Sequence, residues 1–506
     1  MKKISSEIYQ NFYRKNLVKI KNKKKIALIF ENKKISYHTL LLNSDIVAFN
    51  LSKEKKFLKS TIIVSLENSE KYVYLLLAAS KLNVSLLLIN PDSTEVQIQK
   101  IKKKCKLVIT DKKKLNNFDK NKFIKLKILS IQDLLQKSES ITKKTVTFKK
   151  KNYIINFTSG STGVPKNIIY TQSKKIDRAN QLKDNFLDTQ NNIFINYAPI
   201  YHSLGQRLIF SSLLNSNLLI LMRKFNFYEW EKNVEKYKVT ILFPISSHLD
   251  LLVHSMIKNQ HKYKSVKKII ASSSQISVKT KNLILKKFKN IFYEAYGAAE
   301  VAFVSVLSPN DNNSKSTSVG KIVNNVKILI LKSPSLNNKN YGEICCKSKF
   351  LSKFSNKEKK NKSIFYRKQY FRTGDLGRLD SDGYLYFASR IKDIIIKSGV
   401  NIVPKDIEDV ILETKKVKSC VVIGVKDEIF GETPIAICEV KADKKKEESQ
   451  LEVNLFKKLS KHQIPSKVIY TKKLKFLSTG KVDKMFYKKK YSNLIINKGK
   501  SKLFIS

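Results

Sequence analysis

Phe157-Thr158-Ser159-Gly160-Ser161-Thr162-Gly163-Val164-Pro165-Lys166 leaves the end of a short apolar run, residues 153–157, and carries a specified residue at nearly every position. Thr158, Ser159, Ser161 and Thr162 supply hydroxyl donors. Gly160 and Gly163 let the backbone bend sharply and bring its N–H groups close to an anion. Pro165 stiffens the exit, and Lys166 adds a mobile positive charge. Such a loop suits a polyphosphate. It is not the Walker loop, because Val-Pro-Lys follows Gly163 where that loop has Lys-Ser/Thr.

On both sides of this loop, from about residue 26 to 295, short apolar runs alternate with longer amphipathic stretches. Residues 61–66, 85–89, 107–110, 153–157, 218–222 and 239–243 read as strands, and 70–82 and 278–288 as helices. The alternation predicts an α/β fold of doubly wound parallel sheets covered by helices. Residues 319–344, richer in β-branched residues and turns, predict a smaller and more antiparallel β section. The Lys/Asn-rich stretch 352–363 reads as a loop. Asp380-Ser381-Asp382-Gly383-Tyr384 is a turn into a strand at 385–388, and a boundary falls at 389–392. A compact α+β unit follows at 393–491, with a helix at 405–414 and strands at 420–425 and 434–440. Residues 492–506 read as a weakly held tail.

Four further segments accompany the loop in order. They are Tyr296-Gly297-Ala298-Ala299-Glu300, Thr373-Gly374-Asp375, Ser389-Arg390 through Lys397-Ser398-Gly399, and Ser478-Thr479-Gly480-Lys481-Val482-Asp483-Lys484. Together with the loop they resemble the AMP-forming superfamily of acyl- and aryl-CoA synthetases, peptide-synthetase adenylation domains and luciferase. The resemblance spans roughly residues 25 to 490. It implies a large N-terminal domain over 1–388 that binds ATP and the acid. It also implies a mobile C-terminal domain over 393–491 on a hinge at 389–392, with Lys392 at the pivot.

The resemblance implies a two-step reaction. A carboxylate attacks the α-phosphate of ATP to give an acyl-adenylate and pyrophosphate, and a thiol, that of coenzyme A, then displaces AMP. Thr158, Ser159, Gly160, Ser161, Thr162, Gly163 and Lys166 would hold the β- and γ-phosphates. Glu300 would bind Mg²⁺, as suits a carboxylate and a hard cation bridging phosphate oxygens. Tyr296 matches the aromatic that stacks on adenine. Asp375 matches the acid that accepts from both ribose hydroxyls, and Arg390 the hinge-proximal arginine that reaches ribose or phosphates. Lys481 matches the mobile-domain lysine that contacts the carboxylate and α-phosphate. His202, in Pro199-Ile200-Tyr201-His202-Ser203-Leu204-Gly205, would gate or line the acyl pocket, with residues 246–248 and 271–275 as further lining. Two departures stand out: Ala299 where the family usually has Thr, and Ser389 where it usually has Gly.

No Asp occurs in 198–205 to bind an ammonium, which favours a fatty or aryl acid without an α-amino group. An acyl carrier protein is the alternative acceptor, and a degenerate, non-catalytic nucleotide-binding relative is the alternative of another class. The net charge of +58 would ordinarily suggest nucleic acid. Only eight of the 99 Lys and Arg residues are Arg, however, and Gly and Pro are scarce throughout, a pattern of codon drift toward A and T. Neither clustered Arg nor aromatic platforms are visible, so no nucleic-acid partner is expected. Five cysteines without Cys-x-x-Cys spacing predict neither a zinc site nor a disulfide framework. No signal peptide and no integral membrane segment are read, and a cytoplasmic location is expected.

Overall fold

The computed structural model describes residues 7–13, 24–93, 105–117, 126–136, 152–158, 166–187, 191–272, 276, 278–311, 314–332, 341–354, 364–414, 417–440, 445–476, 482–492 and 504–505. Two sheets dominate the first three hundred residues. In the six-stranded sheet the order is Lys127–Ser130, Cys105–Thr110, Thr61–Ser65, Leu86–Leu88, Ile154–Thr158 and Lys166–Tyr170. All pairings are parallel except the last. The nine-stranded sheet has a parallel centre and antiparallel margins formed by Lys33–Ser36, Ala302–Leu307 and Lys321–Ile322.

Helices cover these strands because the apolar runs are buried on both faces. The largest core joins Tyr37–Ser52, Glu70–Leu82, Gln172–Phe186 and Ser203–Leu213 to both sheets. Glu70–Leu82 begins where Ser69 accepts from the Tyr72 N–H and ends at Asn83, which turns left-handed with φ 57°. A second core lies under Phe227–Lys236, Ser246–Lys258 and Val278–Phe288. The helices read at 70–82 and 278–288 have those bounds in the fold, whereas the strand read at 239–243 shortens to Ile241–Leu242.

The β section is antiparallel, as its turn-rich sequence predicts. Val326–Lys332, Gly342–Ser348, Tyr370–Leu379 and Leu385–Arg390 follow one another across it, with Phe365–Tyr366 beside Tyr370–Leu379. Of the loop read at 352–363, Lys353 bridges to Ile169, and 355–363 lie outside the described residues. In the C-terminal part, Val417–Asp427 and Gly431–Val440 form a long hairpin with the helix Pro404–Glu413 on it. Within the stretch read as a weakly held tail, Phe504–Ile505 pairs in parallel with Lys467–Thr471. Among the described residues no helix is long and apolar enough to cross a membrane.

Candidate active site

Residues 159–165 connect the two strands of a hairpin. Ile154–Thr158 and Lys166–Tyr170 pair antiparallel, and Thr158 stands opposite Lys166 at the point where the loop departs. Ser159, Gly160, Ser161, Thr162 and Gly163 lie outside the described residues.

Beside this hairpin, the strand Phe292–Ala298 delivers Tyr296 and then Glu300. Gly297 is required here: a Cβ would stand 2.0 Å from the Ala302 carbonyl oxygen. The close approach kinks the ladder between Tyr296 and Gly297. The tyrosine hydroxyl donates to Asp375 Oδ2 at 2.8 Å, and Arg390 Nε donates to Asp375 Oδ1 at 2.7 Å. Thus three of the residues singled out from sequence meet at one carboxylate. The meeting follows from register, since Asp375 and Arg390 are direct partners on adjacent strands.

Asp375 is itself held from behind. Its N–H donates to Thr373 Oγ1 at 3.1 Å, and the Thr373 hydroxyl donates to the Ile344 carbonyl at 2.7 Å. Gly374, at φ 72°, donates to Glu343, which also takes Arg372. Asp375 is 5% exposed, yet two donors leave lone pairs on both oxygens for a further ligand. Burial, and next the Asp375 charge, push the Tyr296 phenol well above its ordinary value, so it stays a donor. Tyr296 also packs against Phe387, ring centroids 5.7 Å apart.

Glu300 is partly exposed, and burial raises its carboxyl pKa. Arg390 and Arg178 oppose that rise, and Asp375 adds to it. Among the described residues no group of three or more His, Cys, Asp or Glu side chains converges as a metal cage. A single carboxylate such as Glu300 suits Mg²⁺, which is held by one or two carboxylates together with substrate phosphates. A bound cation would restore the ionised form that burial disfavours.

Sequence reading missed the support behind Glu300. Arg178, 3% exposed, donates to the carbonyl oxygens of Ala299 (2.8 Å), Glu300 (2.7 Å) and Phe350 (2.9 and 3.0 Å). The Tyr170 hydroxyl adds a bond to the Ala299 carbonyl at 2.8 Å. Lys175 donates to Gln206, whose amide reaches Asn156 Oδ1 (3.1 Å) and the Ile200 carbonyl (2.8 Å). The phosphate-loop hairpin is thereby tied to the segment 296–300 and to the helix after His202. A signal existed: in a chain drifted to Lys, each surviving Arg is informative, because Lys cannot replace a planar fork.

His202 precedes the helix Ser203–Leu213, with its ring 4.5 Å from that of Tyr201. The tight turn needs Gly205, where a Cβ would meet the Pro199 carbonyl oxygen at 2.4 Å. Asn68 fixes the same turn through the Ala198 carbonyl and the Ile200 N–H. Farther along, His248 stacks on Phe225 at 3.9 Å, with Tyr197 beside both. Residues 273–275 and Lys481 lie outside the described residues, so their expected places in the pocket and site stay expectations.

Burial lowers both His202 and His248 from 6.5 to about 4. Between those values the unfolded chain binds more protons than the native one. The two histidines' contribution to stability is therefore complete above about pH 6.5 and lost as pH falls toward 4. Thermal melts across this window should show a falling midpoint, and His202→Phe with His248→Phe should flatten the slope. An unchanged slope would place the acid sensitivity elsewhere.

Tyr296, Asp375 and Arg390 thus converge close to the segment 296–300 and the hairpin of Ile154–Thr158 and Lys166–Tyr170. The chain belongs to the AMP-binding enzyme family, whose model matches residues 19–354, with the AMP-binding enzyme C-terminal domain matching 406–481. Among curated proteins it is similar to 2-succinylbenzoate–CoA ligase of Staphylococcus epidermidis, 27% identical over 69% of this chain and 71% of that protein. It is also similar to 4-coumarate–CoA ligase 1 of Petroselinum crispum, 25% identical over 79% of each. The fold is that of ATP-bound MatB from Rhodopseudomonas palustris (TM-score 0.85, 22% identity, 96% and 99% of the two chains). It is shared with o-succinylbenzoate CoA synthetase of Bacillus subtilis bound to its acyl-adenylate (TM-score 0.81, 22% identity, 94% and 96%).

Proposed function

We propose that the protein is an AMP-forming acid–CoA ligase that activates an aryl carboxylic acid with ATP and passes the acyl group to coenzyme A. The observation that carries this reading is the hub at Asp375, where Tyr296 and Arg390 converge within 2.8 Å in a chain matched by both family domains. The similarity to ligases named for 2-succinylbenzoate and 4-coumarate supports an aryl acid over a fatty one. It also supports coenzyme A over an acyl carrier protein as acceptor.

In this reading Asp375 accepts from the ribose hydroxyls while Tyr296 and Arg390 hold it in place. Residues 158–163 and Lys166 hold the β- and γ-phosphates. Glu300 would hold Mg²⁺, which would supply positive charge against the phosphate oxygens. The acid's carboxylate, oriented beside His202 and met by Lys481, attacks the α-phosphorus as pyrophosphate leaves. The thiolate then attacks the acyl carbonyl and AMP departs. We assign 1–388 to the domain that binds ATP and acid, 389–392 to a hinge, and 393–491 to the mobile domain.

ATP–pyrophosphate exchange across benzoates, cinnamates, fatty acids and amino acids tests the reading. Exchange should be driven by aryl acids, and adding coenzyme A should yield the thioester. His202→Ala should reorder the acids by ring size or chain length. A uniform loss for every acid would give His202 a structural role, and no exchange with any acid would favour a non-catalytic nucleotide-binding relative.

A further inference from the structure

Three basic side chains meet where the helices Gln172–Phe186 and Ser203–Leu213 pack together: Lys175, Arg178 and Arg207. Two of them are satisfied. Lys175 donates to Gln206 and lies 3.5 Å over the Tyr170 ring, and Arg178 spends its donors on three carbonyls. Arg207 differs. Its guanidinium carbon lies 3.9 Å over the Phe303 ring, and among the described residues it meets neither a hydrogen-bond acceptor nor a carboxylate. A face-on ring attracts the charge but accepts none of the five N–H donors. Donors that no described side chain or carbonyl takes are open to an anion, which would form charge-assisted bonds with them.

The position of that anion follows from the neighbours. Arg207 is partly exposed, although burial pulls its guanidinium down to about 9, still a cation at neutral pH. The charge is therefore open on one side. Phe303 stands opposite Gly297 in the strand register, and Tyr170, next to Arg207, donates to the Ala299 carbonyl. Arg207 therefore lies beside the segment 296–300, on the helix that starts at His202. The resemblance implies a threonine hydroxyl near the α-phosphate at the position where the chain carries Ala299.

We propose that Arg207 binds an oxyanion beside the segment 296–300 and takes the α-phosphate of the adenylate in place of the hydroxyl that Ala299 lacks. This rests on the proposed reading of that segment as part of an AMP-forming site. A charged, preoriented donor set is the stronger replacement, since it forms charge-assisted bonds to phosphoryl oxygens.

Calorimetric titration of the full chain with AMP, with adenosine and with benzoate tests the assignment without requiring turnover. The wild type should prefer AMP to adenosine. Arg207→Met should weaken AMP about tenfold or more while leaving adenosine unchanged, which also reports an intact fold. Arg207→Lys should retain part of the preference, and adding Ala299→Thr to Arg207→Met should recover part of it. If Arg207→Met keeps the wild-type preference, the proposal is overturned and the ligase reading stands. Equal losses for AMP and adenosine would overturn it in favour of a structural role. A loss for benzoate alone would overturn the α-phosphate assignment and move the contact to the acid's carboxylate. A wild type that binds neither AMP nor adenosine would overturn the AMP-forming reading and this proposal together.

Discussion

Asp375→Ala should reduce ATP–pyrophosphate exchange by roughly a hundred- to thousand-fold, as expected when a charged acceptor serving several donors is removed. The carboxylate is 5% exposed and already orients Tyr296 and Arg390 at 2.8 and 2.7 Å. Truncation costs the site twice. The ribose hydroxyls lose an acceptor worth about 1.5–3 kcal/mol. In addition, the Tyr296 hydroxyl and the Arg390 guanidinium are left without the partner that fixes them. Asp375→Asn separates the two costs, since the amide keeps the shape and one acceptor oxygen but turns a donor toward Arg390 or Tyr296. Its loss should be smaller for Tyr296 geometry and still large for AMP. Titration of both variants with AMP and with inorganic pyrophosphate checks the assignment. Ribose recognition predicts weaker AMP and unchanged pyrophosphate, whereas AMP affinity equal to wild type in Asp375→Ala would remove Asp375 from the site.

Much of this site was legible because it is carried by short runs whose spacing the backbone enforces. Tyr296 and Glu300 bracket a glycine that a Cβ would push into the Ala302 carbonyl, so the segment had to stay together in sequence. Asp375 and Arg390 are fifteen residues apart, a hairpin's length, and antiparallel pairing brings them face to face. Helices such as Glu70–Leu82 were readable because their caps and apolar faces are local. Arg178, Lys175 and Arg207 were not, because their partners are carbonyls and rings more than a hundred residues away for Arg178, and no motif encodes a main-chain acceptor. The sheet order was equally hidden, since strands adjacent in the nine-stranded sheet come from both ends of the first three hundred residues. The strand Phe504–Ile505 was missed for a related reason. A two-residue edge strand has no period to read, and its pairing with Lys467–Thr471 is tertiary.

The sharpest separation of the two half-reactions should come from Lys481→Ala. The flanks of this lysine are held: Phe476 bridges Val482, and Asp483 donates its N–H to the Lys475 carbonyl at 2.9 Å. Asp483 then caps the helix Lys484–Lys490 by accepting from the Phe486 N–H. Lys484 in turn lies 3.7 Å from both Asp393 and Glu408. Both flanks therefore belong to the C-terminal fold. If that domain turns about the proposed hinge at 389–392, Lys481 reaches the carboxylate and α-phosphate in one position and leaves them in the other. During adenylation the lysine would neutralise charge shared between those two groups. Losing such a preorganised contact costs about 2.7–4 kcal/mol, or roughly a hundred- to thousand-fold in rate. Thioester formation starts from a finished adenylate with AMP as a good leaving group and places no comparable demand on Lys481. Stopped-flow or quenched-flow measurement of the variant should therefore show adenylate formation from acid and ATP crippled. The same variant, supplied with presynthesised acyl-adenylate and coenzyme A, should make thioester at near wild-type rate. Equal losses in both assays would refute the two-position mechanism and leave Lys481 a static or structural role.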